Sequence, residues 1–308
     1  MESTFRIILF LMVMAASAAQ EYCICPTNRR THCVVEHGSC VCKALGSNQK
    51  VDCSTLTSKC LLMKAEVGAP KGRRFSKPET GFLDNDGLYD PDCDNSGIFK
   101  ARQCNHTDTC WCVNSAGVRR TDKSDKNIRC NELVRTNRIF IDLKHKKRES
   151  AFSESEVASS LLQLIQSRYM LQPSFIPSIK YDYPFIRIDL KQNISQKSYR
   201  DVDIADVAYY FEKDIKRDSH FTSDNIFKIT VNGEPLDIEG ILIYYVDEIP
   251  PEFSMQHLTA GVIAVVVVVL LAIIIGITVL VIIRRWRTGK YQKVEIKEMG
   301  EMKINQIS

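Results

Sequence analysis

Twelve cysteines, all between Cys23 and Cys130, are the residues of this 308-residue chain best suited to covalent chemistry. An even number in a region exported from the cytosol reads as disulfides, with metal binding the lesser reading. Cys23 and Cys25 have the Cys-x-Cys spacing of a zinc knuckle. However, only six histidines (His32, His37, His106, His145, His220 and His257) could partner them. The cysteines form two groups of six. Cys23, Cys25, Cys33, Cys40, Cys42 and Cys53 crowd a segment too short for an apolar core, which must therefore be stapled. Cys60, Cys93, Cys104, Cys110, Cys112 and Cys130 follow at wider spacing. Six cysteines can pair in many ways, so spacing leaves the connectivity of each group open.

Other reactive patterns point to processing rather than catalysis. Lys71-Gly72-Arg73-Arg74, followed by Lys77-Pro78, is basic and loop-like. It reads either as a solvated charge run or as a trypsin-like cleavage site after Arg73 or Arg74. Asn105-His106-Thr107 and Asn193-Ile194-Ser195 are glycosylation acceptors. His145 lies in the basic run Lys144 to Arg148, a poor setting for a general base. Asp201, Asp203 and Asp206 resemble a metal cluster in type, but near a helix start they are expected to cap it and complement its dipole. Phosphate loops, nucleophile elbows and zinc-protease motifs are missing. The chain reads as a non-enzyme with no cofactor and no metal.

These groups are carried by a chain that crosses a membrane once. Residues 260–283 contain no charge and are mostly Val, Ile, Leu and Ala. That length suits a hydrocarbon core of about 30 Å. Arg284, Arg285, Arg287, Lys290 and Lys293 follow and mark the tail 284–308 as cytoplasmic. Arg6, an apolar run from Ile7 to Met14 and small residues up to Ala19 read as a signal peptide, with the mature chain starting at Gln20. The net charge of +4 resides in the tail, where it suits anionic lipid. The ectodomain is neutral, which argues against nucleic acid. Ala272 and Gly276, four apart like Ala260 and Ala264, offer close approach to a partner helix or simply face lipid. Tyr291-Gln292-Lys293-Val294 fits a loose sorting pattern.

After the last cysteine the pattern changes. Ile139, Ile141 and Leu143 alternate with polar residues as in a strand. Ser153 and Glu156 form a capping box before the helical period of Val157, Leu161, Leu164 and Ile165. Phe175 to Tyr181 and Phe185 to Leu190 read as extended, with Pro177 and Pro184 at ends or edges. Ile204, Val207, Ala208, Phe211 and Ile215 predict an amphipathic helix. Phe227 to Val231 predicts a strand ending in the turn Asn232-Gly233, and Leu242 to Val246 a last strand. That order predicts an α+β domain close to a split βαβ sandwich.

Tyr89-Asp90-Pro91-Asp92-Cys93, Gly97, Gln103-Cys104, Cys110-Trp111-Cys112-Val113 and Gly117 resemble the signature of a thyroglobulin type-1 domain. The resemblance implies Cys60–Cys93, Cys104–Cys110 and Cys112–Cys130. Some members of that family inhibit papain-like cysteine proteases, which makes a membrane-tethered inhibitor the alternative function. The order of modules, together with the run Asp201 to Phe211 and the tail Glu295 to Met302, resembles the epithelial cell adhesion molecule family over essentially the whole chain. That resemblance implies Cys23–Cys40, Cys25–Cys53 and Cys33–Cys42. It also implies an epithelial plasma-membrane glycoprotein, homophilic and cis-dimerising, at lateral membranes and junctions. Junction membrane proteins and surface and intramembrane proteases are the implied partners, with signalling by a released tail.

The expected organisation is a signal peptide at 1–19, a compact six-cysteine domain at 20–59 and a thyroglobulin type-1 domain at 60–134. A cysteine-free α+β domain at 135–250, a linker at 251–259, the span at 260–283 and the tail at 284–308 follow. A dimer contact is expected between Lys71, Arg73 and Arg74 of one copy and Asp201, Asp203 and Asp206 of another, or else through the span alone.

Overall fold

A computed structural model of the chain describes residues 23–68, 89–105, 108–193, 195, 197–198, 201–223, 227–253 and 260–304. The chain divides into two compact units, Met1–Phe253 and Ser254–Ser308. The signal peptide lies outside the described residues, as do Lys71, Arg73 and Arg74.

The first unit begins with a small antiparallel sheet of β1 (Thr31–Glu36), β2 (Ser39–Ala44) and β3 (Lys50–Val51). The β1–β2 turn is His37-Gly38, both at positive φ, which suits a two-residue hairpin. Cys33 and Cys42 stand opposite each other in this register and are bonded. Cys23–Cys40 and Cys25–Cys53 complete the staples of this segment.

Next comes α1 (Lys59–Gly68), then the short pair β4 (Arg102–Cys104) and β5 (Cys110–Cys112). Cys60–Cys93, Cys104–Cys110 and Cys112–Cys130 hold them. Trp111 is buried and meets Tyr89 edge-on at 5.3 Å. Gly117 is required as glycine: its φ is +74°, and a Cβ would sit 2.5 Å from the Phe99 ring. Gln103, fully buried, donates to the Asp92 and Lys100 carbonyls and accepts from the Asp92 amide, closing the turn before Cys104.

The α+β domain runs β6 (Thr136–His145), α2 (Glu154–Tyr169), β7 (Ser178–Asp182), β8 (Phe185–Lys191), α3 (Ile204–Ile215), β9 (Ile229–Val231), β10 (Glu234–Leu236) and β11 (Ile238–Asp247). The main sheet has the order β11-β6-β8-β7, every neighbour antiparallel. β8 therefore lies between β6 and β7, which are joined through α2, as a split βαβ unit requires. Ile139, Ile141, Leu143, Ile186, Ile188 and Leu190 point inward. They share one core with Val157, Leu161 and Ile165 of α2 and Val207, Ala208 and Phe211 of α3. Each of the larger of these side chains contributes about 1.5–3 kcal/mol by its burial. The capping box at α2 is complete: the Ser153 hydroxyl accepts from the Glu156 amide, and the Glu156 carboxylate accepts from the Ser153 amide.

The second unit is α4 (Ala260–Ile304). Its stretch long and apolar enough to cross a membrane is Ala264–Trp286. This lies later at both ends than 260–283. Arg284 and Arg285 fit inside it because long basic side chains reach out to the headgroups. At 1.5 Å per residue it measures about 35 Å, enough to span with some tilt.

Candidate interaction surface

The modules of the first unit meet on α3. Asp206 Oδ1 accepts the Lys59 amide at 2.6 Å, tying the first turn of α3 to the start of α1. Tyr210 donates to the Thr27 carbonyl at 2.8 Å and accepts from the Thr57 amide. Glu66 of α1 accepts from Tyr209 at 2.8 Å and Lys213 at 2.6 Å, and lies 2.9 Å from the buried His220 Nε2. Burial alone would raise the Glu66 pKa, but bonds from His220, Lys213 and Tyr209 bring it down to about 2. Burial also pushes the Lys59 ammonium down to about 8 and the His220 imidazole below its ordinary range. The seam satisfies the Glu66 carboxylate, whereas Nδ1 of the buried His220 has no hydrogen-bond partner among the described residues.

Asp201, Asp203 and Asp206 are brought together around the start of α3, but their oxygens are engaged within the chain. Asp203 caps α3 through the Ala205 amide and pairs with Lys197 at 2.7 Å. Asp201 accepts from the Ser198 amide and from Gln172. Asp206 holds Lys59, as above. As the acidic side of a dimer contact they are therefore poorly available. Asn105 is exposed beside β4, and Asn193 is half-buried just past β8. His145 is buried between the Lys146 carbonyl and the Tyr181 hydroxyl. Sulfurs of Cys23, Cys33, Cys40 and Cys42 cluster within 4.8 Å, but as two disulfides they offer no thiolate to a metal. Ala272 and Gly276 are exposed on α4.

The helices α2 and α3 cover one face of the main sheet, and among the described residues of this unit the other face is open. On that open face Phe140 stands between Tyr244 of β11 and Asp189 of β8, and Asp142 between Leu242 and Arg187. Arg138 clasps Asp189 through two bonds at 2.9 and 2.7 Å, and Arg187 clasps Asp142 through two at 2.7 and 2.6 Å. Both guanidinium groups also flank the Phe140 ring, at 4.6 and 5.8 Å. Leu242, Tyr244 and Val246 alternate along β11 at 61, 50 and 40% exposure. A contiguous apolar strip with aromatic and Arg neighbours is the composition of a contact surface. The alternation Leu242, Tyr244, Val246 was visible in sequence, but not which side the helices would leave bare.

A second feature lies beside this face. Asp247, the last residue of β11, accepts from Asn114, Arg120 and Thr136 at 2.8, 2.9 and 2.8 Å. Arg120 also donates to the Ile249 and Pro250 carbonyls, and its own carbonyl accepts the Glu252 amide. A cleft of about 600 Å³ opens next to it, lined in part by Arg129, Glu132 and Glu248. Sequence reasoning passed over Arg120, because nothing local marks a partner 127 residues away.

A stapled N-terminal segment, a module with the Cys-Trp-Cys-Val core, a split βαβ domain and one apolar helix, in that order, define a single-pass plasma-membrane protein. Comparison with known proteins gives the same division. Residues 23–59 match the family model for the epithelial cell adhesion molecule N-terminal domain, 73–130 the thyroglobulin type-1 repeat, and 136–247 the EPCAM/Trop-2 C-terminal model. The chain is 56% identical over 306 residues to human tumor-associated calcium signal transducer 2, covering 97% of this chain and 95% of that one. It is 55% identical to mouse epithelial cell adhesion molecule over 302 residues, and 54% identical to the human one, each covering 97% of this chain and 96% of the relative. The chain belongs to the EpCAM/Trop-2 family.

Proposed function

We propose that the chain is a homophilic adhesion and signalling receptor whose copies associate through the open face of the main sheet. The observation that carries this reading is the strip Leu242, Tyr244 and Val246 beside Phe140, left bare by both helices. The basic segment with Lys71, Arg73 and Arg74 follows α1 in the chain, and the reading lays it against this face of a second copy rather than against Asp201, Asp203 and Asp206. Family membership and the apolar helix support lateral association with junction membrane proteins, cleavage after Arg73 or Arg74, and release of the tail by surface and intramembrane proteases. The glycans belong on Asn105 and Asn193. Ala272 and Gly276 leave room for a second span in the same assembly.

Sedimentation of the soluble ectodomain, residues 20–253, tests the reading. A dimer is expected at tens of micromolar, the range a specific interface of standard size must reach. Tyr244→Glu, which sets a charge on the strip without entering the core, should leave it monomeric. A monomeric native ectodomain that inhibits a papain-like protease at nanomolar concentration would replace this reading with the tethered inhibitor.

A further inference from the structure

We infer that Arg120 is a strap that holds the juxtamembrane segment Asp247–Glu252 against the thyroglobulin-type module and keeps it from being cleaved. The inference rests on the reading that the ectodomain is released by surface proteases. Its own basis is the geometry around one guanidinium.

Arg120 is 10% exposed and its partner Asp247 is 7% exposed, so this ion pair is shielded from solvent and salt. Around it, four main-chain groups of the segment that could serve a protease are already in use. Glu248 N–H donates to the Arg135 carbonyl and Glu252 N–H to the Arg120 carbonyl. The Ile249 and Pro250 carbonyls accept from the Arg120 guanidinium at 2.6 and 2.8 Å. Thr121 and Glu252 pair as a parallel bridge. Proteases bind substrate as an added strand through these same backbone groups. The side chains, by contrast, are inviting: Ile249 and Phe253 are large, apolar and half exposed. Pro250 and Pro251 direct a cut to the bonds on either side of them, Glu248–Ile249 or Glu252–Phe253, where the strap withholds the backbone. Once the strap opens, the segment can enter a protease cleft. Hydrolysis then adds water across one peptide bond, leaving a new carboxylate on the shed part and a new amine on the anchored part.

The strap also crosses modules. Arg120 follows Cys112 in the stapled region, whereas Asp247 ends the α+β sheet. Anything that shifts one module against the other is thereby read at the segment that leads to the membrane.

The experiment uses the full chain displayed on cultured cells, as Arg120→Gln, Asp247→Asn and the control Lys126→Gln. Asp247→Asn removes the charge that pairs with Arg120 and weakens the strap from the segment side, should Arg120→Gln fail to reach the surface. Two readouts are taken: hydrogen exchange of the 247–252 amides in the purified full chain, and ectodomain released to the medium, with its new C-terminus located by mass spectrometry. Both strap variants should exchange faster and release at least threefold more ectodomain, cut within or next to 247–253. The control should match the native chain. If cells release none from any variant, but added thermolysin cuts the strap variants several times faster at this segment, the strap stands and the reading of natural release fails. Unchanged exchange, or faster exchange with no gain in cutting by either route, overturns the inference.

Discussion

The stapled region from Cys23 to Cys130 and the α+β domain from Thr136 to Asp247 reach order by different means. The first has short strands and six disulfides closing loops with sequence separations from 6 to 33 residues. Among the described residues fewer of its apolar side chains are buried than in the second, Trp111, Phe99 and Leu62 among them. The second has no cysteine and relies on a core of long aliphatic and aromatic side chains between one sheet face and two helices. Below a certain size a domain cannot bury enough surface to offset chain entropy, and cross-links that restrict the unfolded chain supply the remainder. The difference between the regions is thus a difference in which state is being adjusted: the unfolded state in the first, the folded state in the second.

Phe211→Ala strikes hardest at the second region. Phe211 is fully buried in α3, against Tyr169 and Phe227, and its truncation should cost about 3–5 kcal/mol. Denaturant unfolding of the ectodomain followed by hydrogen exchange should show loss of protection in β6, β8 and α2 while the disulfide-bonded segments stay protected. Equal loss in both regions would mean that they form one cooperative unit and would collapse the distinction.

Replacing both Cys112 and Cys130 with Ala is the converse. The loop has a sequence separation of 18, and its release should cost about 3 kcal/mol, lost mainly from the module that holds Trp111. Under reducing conditions the variant and the native chain should become alike. A variant that stayed less stable than the fully reduced native chain would show that the sulfurs matter for packing more than for chain entropy.

The smallest effect sharpens the boundary between the regions. Burial keeps His220 neutral in the fold, so below its ordinary pKa of 6.5 the unfolded chain takes up the extra proton and stability falls as pH drops. Asp206 acts in the opposite sense. Burial, and then the neighbouring Asp203, push it up to about 7 from 3.8, so the fold holds the extra proton between those values and loses stability as pH rises. The two oppose each other in the native chain. In Asp206→Asn the opposing contribution is gone, and Lys59, whose pKa of about 8 falls further without Asp206 beside it, acts in the same sense as His220. The melting temperature should drop by about 2–4 °C between pH 7.5 and 5.5. Adding His220→Gln should shrink the drop, and adding Lys59→Gln as well should remove it. A full drop that survives the triple variant would assign acid sensitivity to another group.

How much could be read from residues alone follows the range of each interaction. α3 was legible because Ile204 to Ile215 repeats one apolar face over three turns. The start of α2 was legible because its cap lies within Ser153 to Glu156. Strand order could be anticipated as a class because elements alternate. Where range grew, legibility failed. Phe175 was read as extended, but Pro173–Phe175 form a 3₁₀ turn that turns Phe175 into the core before β7 begins. β10, with Pro235 in a three-residue strand, has no pattern long enough to notice. β11 begins at Ile238 rather than Leu242, since the irregular pairing between Ile238 and Gly240 breaks the alternation. The Glu66–His220 seam and the Arg120–Asp247 pair join residues far apart in the chain, and single polar residues carry no sign of a distant partner.

The strand order also sets a schedule for biosynthesis. β6 is interior to the sheet, yet one of its neighbours, β11, is the last strand before the membrane, roughly ninety residues later. At about 5–20 residues per second, β6 waits on the order of 5–20 seconds after emerging before that edge can form. The short loops of the stapled region need no such wait and can close while later segments are still being made. During the interval one edge of β6 is unpaired in a compartment crowded with other chains. A lumenal chaperone that recognises exposed apolar strand should therefore be found on nascent chains that end between β8 and β11, and should leave once Asp247 has been translocated.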